Sequence, residues 1–291
     1  IILPVYNGEK YLENLISKIR NQEINYEIEI ISAVSKSDDK SLELSKMLCD
    51  ITFEVGDFNH AKTRHEAVEK STGGILVFLT QDVTPYNKYW LNNLIQPLIE
   101  NNEIVATYAK QIAYPNSTET EKLIREFNYP DYDRLCNKNT KGKWGRKNIY
   151  YSDACSATIK EVFIKLGGYN FDVVTNEDVI YALNVINNGY SIFYNSKSKV
   201  YHSHNFEIKN AYNRYRLIGI FEKEYNDQLS EYSSLGEGKK LLFYLVKNLL
   251  RKLKIKDLFL LSVDLVTRYI AYKKGYSEGS RINTKSLGER L

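Results

Sequence analysis

The first half of the chain alternates short apolar runs with segments whose apolar residues recur every three or four positions. The apolar runs predict β-strands, and the helically spaced segments predict α-helices. The predicted strands are residues 1–5, 27–34, 51–55 and 75–79, and the predicted helices are residues 10–20, 41–48 and 61–70. This order predicts an α/β fold with a mostly parallel sheet that helices cover on both faces.

Ligands of such sheets bind beyond the carboxyl ends of the strands. The first candidates for function are therefore the residues that follow the predicted strands, namely 4–7, 35–39, 56–60 and 80–82. The region 106–160 interleaves aromatic and charged positions, which predicts surface loops and short strands around a pocket.

Regular patterns return in the last third of the chain. An acidic pair, Glu177 and Asp178, opens a predicted helix that extends to Asn188, and a further strand leads into residues 201–204. From about residue 206 the pattern is helical and increasingly basic. The chain begins inside its first predicted strand, so we expect further residues to precede Ile1.

The composition is that of a globular protein, with 43% hydrophobic residues, 26% charged residues and 3 cysteines among 291 residues. The cysteines are widely spaced, which favours reduced thiols in a cytosolic setting. A net charge of +4 gives no reason to expect a nucleic-acid partner. The charge is uneven. Residues 239–291, the basic tail, carry 13 basic and 4 acidic residues, whereas the rest of the chain carries 27 basic and 32 acidic ones.

Several common site types are missing from the sequence. No G-x-G-x-x-G follows the first predicted strand and no G-x-x-x-x-G-K-[ST] occurs, which argues against a dinucleotide oxidoreductase and a P-loop NTPase. A G-x-S-x-G match at residues 275–279 lies in the basic tail, without the strand that a nucleophile elbow requires. No run of 18 apolar residues predicts a membrane span.

Five motifs occur in order along the chain. They are ILPVYN at residues 2–7, DFNHAKTR at 57–64, FLTQDVTP at 78–85, GGY at 167–169 followed by NED at 176–178, and VYHSH at 200–204. Together they resemble the family 2 glycosyltransferases of GT-A fold, most closely the rhamnosyltransferase branch that builds bacterial surface polysaccharides.

The resemblance implies a Rossmann-like GT-A catalytic domain over residues 1–205, with a nucleotide-sugar half over 1–105 and an acceptor half over 106–205. A helical, basic extension would follow over 206–291. The implied reaction is inverting transfer of a sugar to a hydroxyl of a growing, lipid-linked polysaccharide. L-Rhamnose from dTDP-L-rhamnose is the preferred donor, UDP-hexoses and UDP-N-acetylhexosamines are alternatives, and a non-catalytic nucleotide-sugar-binding homologue is the rival.

The resemblance also implies a donor site at the strand ends. Tyr6 would stack on the base while the backbone of Pro4 and Asn7 bonds its edge. Arg64 carries a guanidinium fork that suits a base carbonyl or a phosphate. Two alternatives stay open, because Tyr6 could simply pack and Arg64 could lie on a solvated helix face.

One position departs from the family pattern. Family members usually place an acidic residue after the second strand to bond the base, and Val34 stands there in this chain. Base recognition would then depend on the backbone or on Asp39 and its neighbour Asp38, which could equally cap a helix.

A metal site is expected after the fourth predicted strand. A carboxylate such as Asp82 is costly beside an apolar strand unless it binds a cation. By resemblance Asp82 binds Mg²⁺ or Mn²⁺ that bridges the donor diphosphate, and Gln81 replaces the family's second acid. His204, or else His202, would add a ligand and favour Mn²⁺. Both histidines could instead be hydrogen-bonded residues at a strand end.

The catalytic base and the acceptor pocket come from later motifs. By resemblance Asp178 deprotonates the acceptor hydroxyl, and Glu177 orients Asp178 or bonds the acceptor. The pair could instead only cap its helix. Trp144, Asp153 and His60 are the residues expected at the acceptor, although Trp144 is as well suited to the core.

The tail offers two interpretations. Its apolar stripe, made of Leu242, Leu245, Val246, Leu249 and Leu253, could pack on the catalytic domain and leave a solvated basic face. Alternatively, residues 239–256 could contact an anionic membrane. The expected location is the cytoplasm, with peripheral attachment to the inner face of the cell membrane in the second case.

Overall fold

The computed structural model describes residues 1–171, 173–204, 207–232 and 235–279, except for the side chain of Leu235. Its strands are β1 (Ile2–Val5), β2 (Ile31–Ser35), β3 (Ile51–Val55), β4 (Ile75–Leu79), β5 (Thr84–Pro85), β6 (Ile104–Ile112), β7 (Arg134–Cys136), β8 (Cys155–Ile159) and β9 (Ser191–Tyr201). Its helices are α1 (Glu9–Arg20), α2 (Ser41–Leu48), α3 (His60–Glu69), α4 (Trp90–Glu100), α5 (Glu119–Asn128), α6 (Lys141–Trp144), α7 (Lys160–Lys165), α8 (Glu177–Asn187), α9 (Ile208–Glu224), α10 (Asn226–Leu229), α11 (Leu235–Arg251) and α12 (Ile255–Glu278).

The strands form one nine-stranded sheet in the order β3-β2-β1-β4-β8-β6-β9-β5, with β7 paired to β9. The pairs among β1, β2, β3 and β4 are parallel, as is the pair of β6 and β9. Strand β8 runs antiparallel to both of its neighbours, β4 and β6. The α/β class is confirmed. The prediction of a mostly parallel sheet is corrected to a mixed one, because β8, β5 and β7 each run antiparallel to the strands they pair with.

This topology gathers chain segments at one edge of the sheet. The carboxyl ends of β1, β2 and β4 meet there because these strands are parallel. Strands β6 and β9 run in the same direction as β4, since β8 is antiparallel to both β4 and β6. The residues after β4 and β9, and those before β8, are therefore brought to a single edge.

Two predictions about the strands are corrected. Strand β2 begins at Ile31 and not at residue 27, because β1 begins at Ile2 and pairs it with Ile31. The prediction of surface loops and short strands over 106–160 is wrong where β6 runs, since this nine-residue strand is largely buried in the sheet. A strand buried on both faces lacks the alternation that marks a half-exposed one.

The C-terminal helices pack through a close backbone contact. A Cβ placed on Gly275 of α12 would lie 1.8 Å from the carbonyl oxygen of Arg216 on α9, and one on Gly219 would lie 2.3 Å from that of Tyr272. Gly275 is thus a packing residue inside a helix, so the G-x-S-x-G match is no nucleophile elbow.

The apolar stripe of the tail packs only in part. Leu245 and Leu249 are buried against Leu123 of α5 and Leu261 of α12. The expectation that the whole stripe packs is wrong, because Leu242 is 39% exposed and Leu253 is 81% exposed. Within the described ranges, every helix is too short or too polar to cross a bilayer. The division of the chain at residues 205 and 206 stays a prediction.

Candidate active site

Three metal-ligating side chains converge at the shared edge of the sheet. Asp82 follows β4, and His202 and His204 follow β9. The Nε2 atoms of His202 and His204 lie 3.5 Å and 3.3 Å from Oδ2 of Asp82, and 3.1 Å from each other. One ligand atom from each residue lies within 4.8 Å of the other two, which is a spacing that one cation can bridge.

A hydrogen-bond chain fixes the tautomer of His202. The Nδ1 atom of His202 lies 2.8 Å from Oε1 of Gln111. The same Oε1 accepts from the guanidinium of Arg125, and the Nε2 of Gln111 donates to Ser152 Oγ at 3.0 Å. Because arginine can only donate, the Gln111 atom facing His202 must be the oxygen, so Nδ1 carries the proton. The Nε2 atom, which faces Asp82, is then the ring nitrogen available to a metal.

The electrostatics of this group match a cation site. Burial alone would raise the pKa of Asp82, but its contact with His202 holds it well below its usual range, so the carboxylate is available as an anionic ligand. Burial lowers the pKa of His202, and the contact with Asp82 opposes this shift. One carboxylate and two imidazoles form a mixed oxygen and nitrogen set, which fits a transition ion such as Mn²⁺ better than Mg²⁺.

A second, buried cluster forms around Arg64 of α3. Its Nη1 donates to Glu177 Oε1 at 2.9 Å, and its Nε lies 3.7 Å from Asp153 Oδ2. Asp153 also accepts from Tyr169 OH at 2.5 Å and from Ser156 Oγ at 2.8 Å. The pair predicted as base and helper, Asp178 and Glu177, occupies the first turn of α8. Glu177 is thereby held at the inner side of this turn by a buried guanidinium.

Asp178 is the least buried acidic residue of this cluster, since the residue is partly exposed whereas Glu177 and Asp153 are buried. Burial and the charges of Glu177 and Asp153 raise the pKa of Asp178 well above its ordinary value, and Arg64 opposes this rise. Burial, opposed by Arg64 and aided by Glu177, raises the pKa of Asp153 to about 6. A raised pKa makes an ionised carboxylate a stronger proton acceptor.

The segment between β7 and β8 joins the two clusters. Ser152 accepts from Gln111, which bonds His202, and the next residue, Asp153, contacts Arg64. The metal ligands and the acid–arginine cluster are therefore tied to two adjacent residues of one chain segment.

The donor-side predictions fall on loops that contact one another. The side-chain amide of Gln81 bonds both backbone groups of Tyr6, at 2.9 Å and 2.7 Å, and leaves the Tyr6 ring 58% exposed. Asn7 adopts a left-handed φ of 44°, and its side chain accepts from the backbone of Asp38. Asp39 accepts from the N–H groups of Glu9 and Ser41, so it ties the loop to α1 and α2.

The remaining residues predicted for the donor and acceptor sites make other contacts. Pro4 is within β1, and Arg64 belongs to the acid cluster instead of the Tyr6 loop. His60 begins α3 and its Nδ1 lies 3.3 Å from Arg64 Nη1. Trp144 donates its Nε1–H to the Leu135 carbonyl at 3.0 Å, so its contact is with β7.

Sequence reasoning missed the residues that hold the site together. Gln111 and Arg125 belong to no motif, and only the fold brings them to His202. Tyr169 did carry a signal, because it stands in the GGY motif, yet no role was predicted for it. His202 was only the alternative to His204, whereas the structure places both beside Asp82.

Comparison with known proteins agrees with this geometry. A family model described as "Glycosyl transferase family 2" matches residues 1–167. The O-antigen chain rhamnosyltransferase RfbN of Salmonella typhimurium is 29% identical over 225 residues, which are 76% of this chain and 71% of that protein. The O-antigen chain rhamnosyltransferase WbaN of Salmonella anatum is 27% identical over 224 residues, with the same two shares.

Solved structures share the fold at low sequence identity. The mannosyltransferase PcManGT from Pyrobaculum calidifontis, in complex with GDP-Man and Mn²⁺, superposes with a TM-score of 0.59 at 14% identity over 96% of this chain and 83% of that one. S. aureus TarS 1-349 in complex with UDP-GlcNAc gives a TM-score of 0.55 at 14% identity, over 96% and 90%. These similarities identify the sheet and its helices as the GT-A fold.

Proposed function

Because the chain belongs to glycosyl transferase family 2 and is therefore a glycosyltransferase, we propose that it transfers L-rhamnose from dTDP-L-rhamnose to a growing, lipid-linked bacterial surface polysaccharide. The similarity to two O-antigen chain rhamnosyltransferases, at 29% and 27% identity, supports the sugar and the acceptor class. The observation that carries the chemistry is the partly exposed Asp178 beside a buried acid–arginine cluster that raises its pKa.

The transfer is written as a single displacement with inversion. An acceptor hydroxyl oxygen attacks C1 of the sugar from the face opposite the nucleotide, and the bond from C1 to the diphosphate oxygen breaks. The electron pair of that bond leaves with the diphosphate, and the hydroxyl proton passes to Asp178. Glu177, paired with Arg64, keeps a second negative charge beside Asp178 and so increases its basicity.

The donor is assigned to the loops around Tyr6. The exposed ring of Tyr6 stacks on the base, and the backbone of Pro4 and Asn7 bonds its edge. Gln81 and Asp39 act by holding this loop in place, since their polar atoms bond backbone groups. The Nη1 of Arg64 is engaged by Glu177, so a donor contact from this residue falls to its other terminal nitrogen.

The cation is assigned to Asp82, His202 and His204. Their donor set and the tautomer fixed by Gln111 favour Mn²⁺. When bound, the ion neutralises charge on the departing diphosphate. For the acceptor, His60 and Asp153 adjoin Arg64, whereas Trp144 is assigned only to the outer wall of the pocket.

The test uses the full chain with dTDP-L-rhamnose, Mn²⁺ and a lipid-linked glycan, and it measures dTDP release. Asp178→Asn should lower turnover by about 10²–10⁴-fold, the usual contribution of a general base, and leave dTDP binding intact. Asp227→Asn, a change at an exposed aspartate on α10, serves as the control. Unchanged turnover in Asp178→Asn would remove the base assignment, and release from a UDP-sugar alone would refute the donor.

A further inference from the structure

The outward side of α12 is an unusually apolar surface. Ile255, Phe259, Val266, Tyr269 and Ile270 recur at helical spacing, and each is more than half exposed. They form one stripe that is about 22 Å long at 1.5 Å per residue. Scattered apolar residues are ordinary on a protein surface, but a contiguous stripe of this length marks a binding surface.

The opposite side of α12 packs against other helices of the protein. Leu261 packs against α11 and α5, and Gly275 meets the backbone of α9. Asp264 is buried and pairs with Arg268 of the same helix, which also donates to Tyr215 of α9. The exposed stripe is therefore distinct from the face by which α12 packs on the protein.

Exposed apolar residues also occur on α11 and on the turn that follows it. Phe243 is 71% exposed, Leu250 is more than half exposed, and Leu253 projects from the turn. Exposed basic side chains surround these apolar ones: Lys239, Lys247, Arg251, Lys254 and Lys256.

The charge of this surface is one-sided. Residues 235–279 contain ten basic and four acidic residues. Three of the acids are engaged by neighbouring cations, in the pairs Glu237 with Lys147, Asp264 with Arg268, and Glu278 with Arg216. The remaining acid, Asp257, lies in the first turn of α12 and is only partly exposed. The apolar stripe thus has a basic border and almost no negative charge.

From this combination we infer that α11 and α12 dock onto an anionic phospholipid bilayer, lying in its surface with the apolar stripe among the acyl chains. Helices that bind the bilayer interface combine an apolar face with Lys and Arg beside it, and lipid phosphates attract those cations. A second copy of the chain fits less well, because a two-fold contact would press this basic border against itself.

The docking surface is close to the proposed active site through one helix. One side of α5 presents Leu123 to Leu249 and Leu261. Other residues of α5 reach the metal ligands, since Arg125 donates to Gln111, and Glu121 accepts from the His204 backbone at 3.4 Å. A bilayer on α11 and α12 would therefore be separated by these helices and by α5 from the strand end that carries His202 and His204. The inference itself needs no catalysis, so it can fail or hold independently of the proposed reaction.

The experiment is sedimentation of the full chain with vesicles of phosphatidylcholine, with or without phosphatidylglycerol. Binding should require the anionic lipid and weaken when salt rises from about 0.1 M to about 1 M, because the Debye length falls from about 10 Å to about 3 Å. Two double variants, Phe259→Ser with Val266→Ser and Lys247→Gln with Arg251→Gln, should each lower vesicle affinity at least about tenfold, or about 1.4 kcal/mol. Ile164→Ser, which removes an exposed apolar side chain of α7, should leave affinity unchanged.

Thermal unfolding of each variant without vesicles checks that the variants remain folded. Because the substituted side chains are exposed, the midpoint of unfolding should not change. Absence of binding to anionic vesicles at low salt would overturn the inference. A dimer in light scattering that Phe259→Ser with Val266→Ser dissociates would assign the face to a second copy and overturn it as well.

Discussion

The buried pairing of Arg64 with Glu177 makes a quantitative prediction for Arg64→Met. Methionine has a similar length and no charge, so the change removes the cation that pairs with Glu177, which is 6% exposed, and with Asp153, which is 3% exposed. Removal of one partner from a buried ion pair costs about 3–5 kcal/mol because the other charge stays buried. We expect the free energy of unfolding at pH 7.5 to fall by that amount.

The loss should depend on pH, with a sign that the structure determines. In the native protein burial raises the pKa of Asp153 to about 6, and Arg64 opposes this rise. In the variant that opposition is lost, so the folded-state pKa of Asp153 lies still further above its unfolded value of about 4. The folded state then binds more protons than the unfolded chain between these values, so stability decreases as pH rises through that window. At pH 5 Asp153 is largely protonated in the folded variant, so the difference from the native protein should be clearly smaller than at pH 7.5.

Urea unfolding followed by circular dichroism at both pH values measures the effect. The control is Arg20→Met, since Arg20 pairs with Asp50 at the surface, where both side chains are more than a third exposed. Exposed pairs contribute about 0.2–1 kcal/mol. Adding Glu177→Gln to Arg64→Met should recover part of the loss, because one buried charge is then absent. A loss below about 1 kcal/mol, or one equal at the two pH values, would refute the pairing as a buried-charge interaction.

Two further variants test the polar network and the helix packing. Gln111→Leu removes the oxygen that fixes the His202 tautomer, so Mn²⁺ affinity measured by calorimetry should fall about 10–100-fold, whereas Gln96→Leu on the exposed side of α4 should leave it unchanged. Equal affinities would show that Gln111 does not orient the ligand. Gly275→Ala should cost about 1–3 kcal/mol by pressing a methyl group into the α9 backbone. Gly238→Ala, where a Cβ meets open space in α11, should instead add about 0.5–1 kcal/mol, so equal effects of the two changes would contradict the close contact.

Local patterns predicted much of the catalytic half. Strand and helix periodicity placed β1, β3 and β4 within a residue of their observed bounds, because each is a short apolar run between helices of clear spacing. The parallel order of those strands implied that residues 4–7, 35–39 and 80–82 share an edge, and hydrogen bonds from Gln81 to Tyr6 and from Asp38 to Asn7 confirm it. Motif order identified the family before any contact was known.

The sequence by itself thus determined the fold class, the family and the chemical types at the strand ends, since these depend on local periodicity and on residue identity. Only the tertiary structure decided which side chains contact one another. Arg64 meets Glu177 across 113 residues and Gln111 meets His202 across 91, and no local pattern encodes such contacts because they depend on strand order and helix docking. The tail shows the same division. The sequence alone gives the charge of the tail. Which of its apolar residues are buried and which are exposed depends on how α9, α11 and α12 pack on one another and on the rest of the protein.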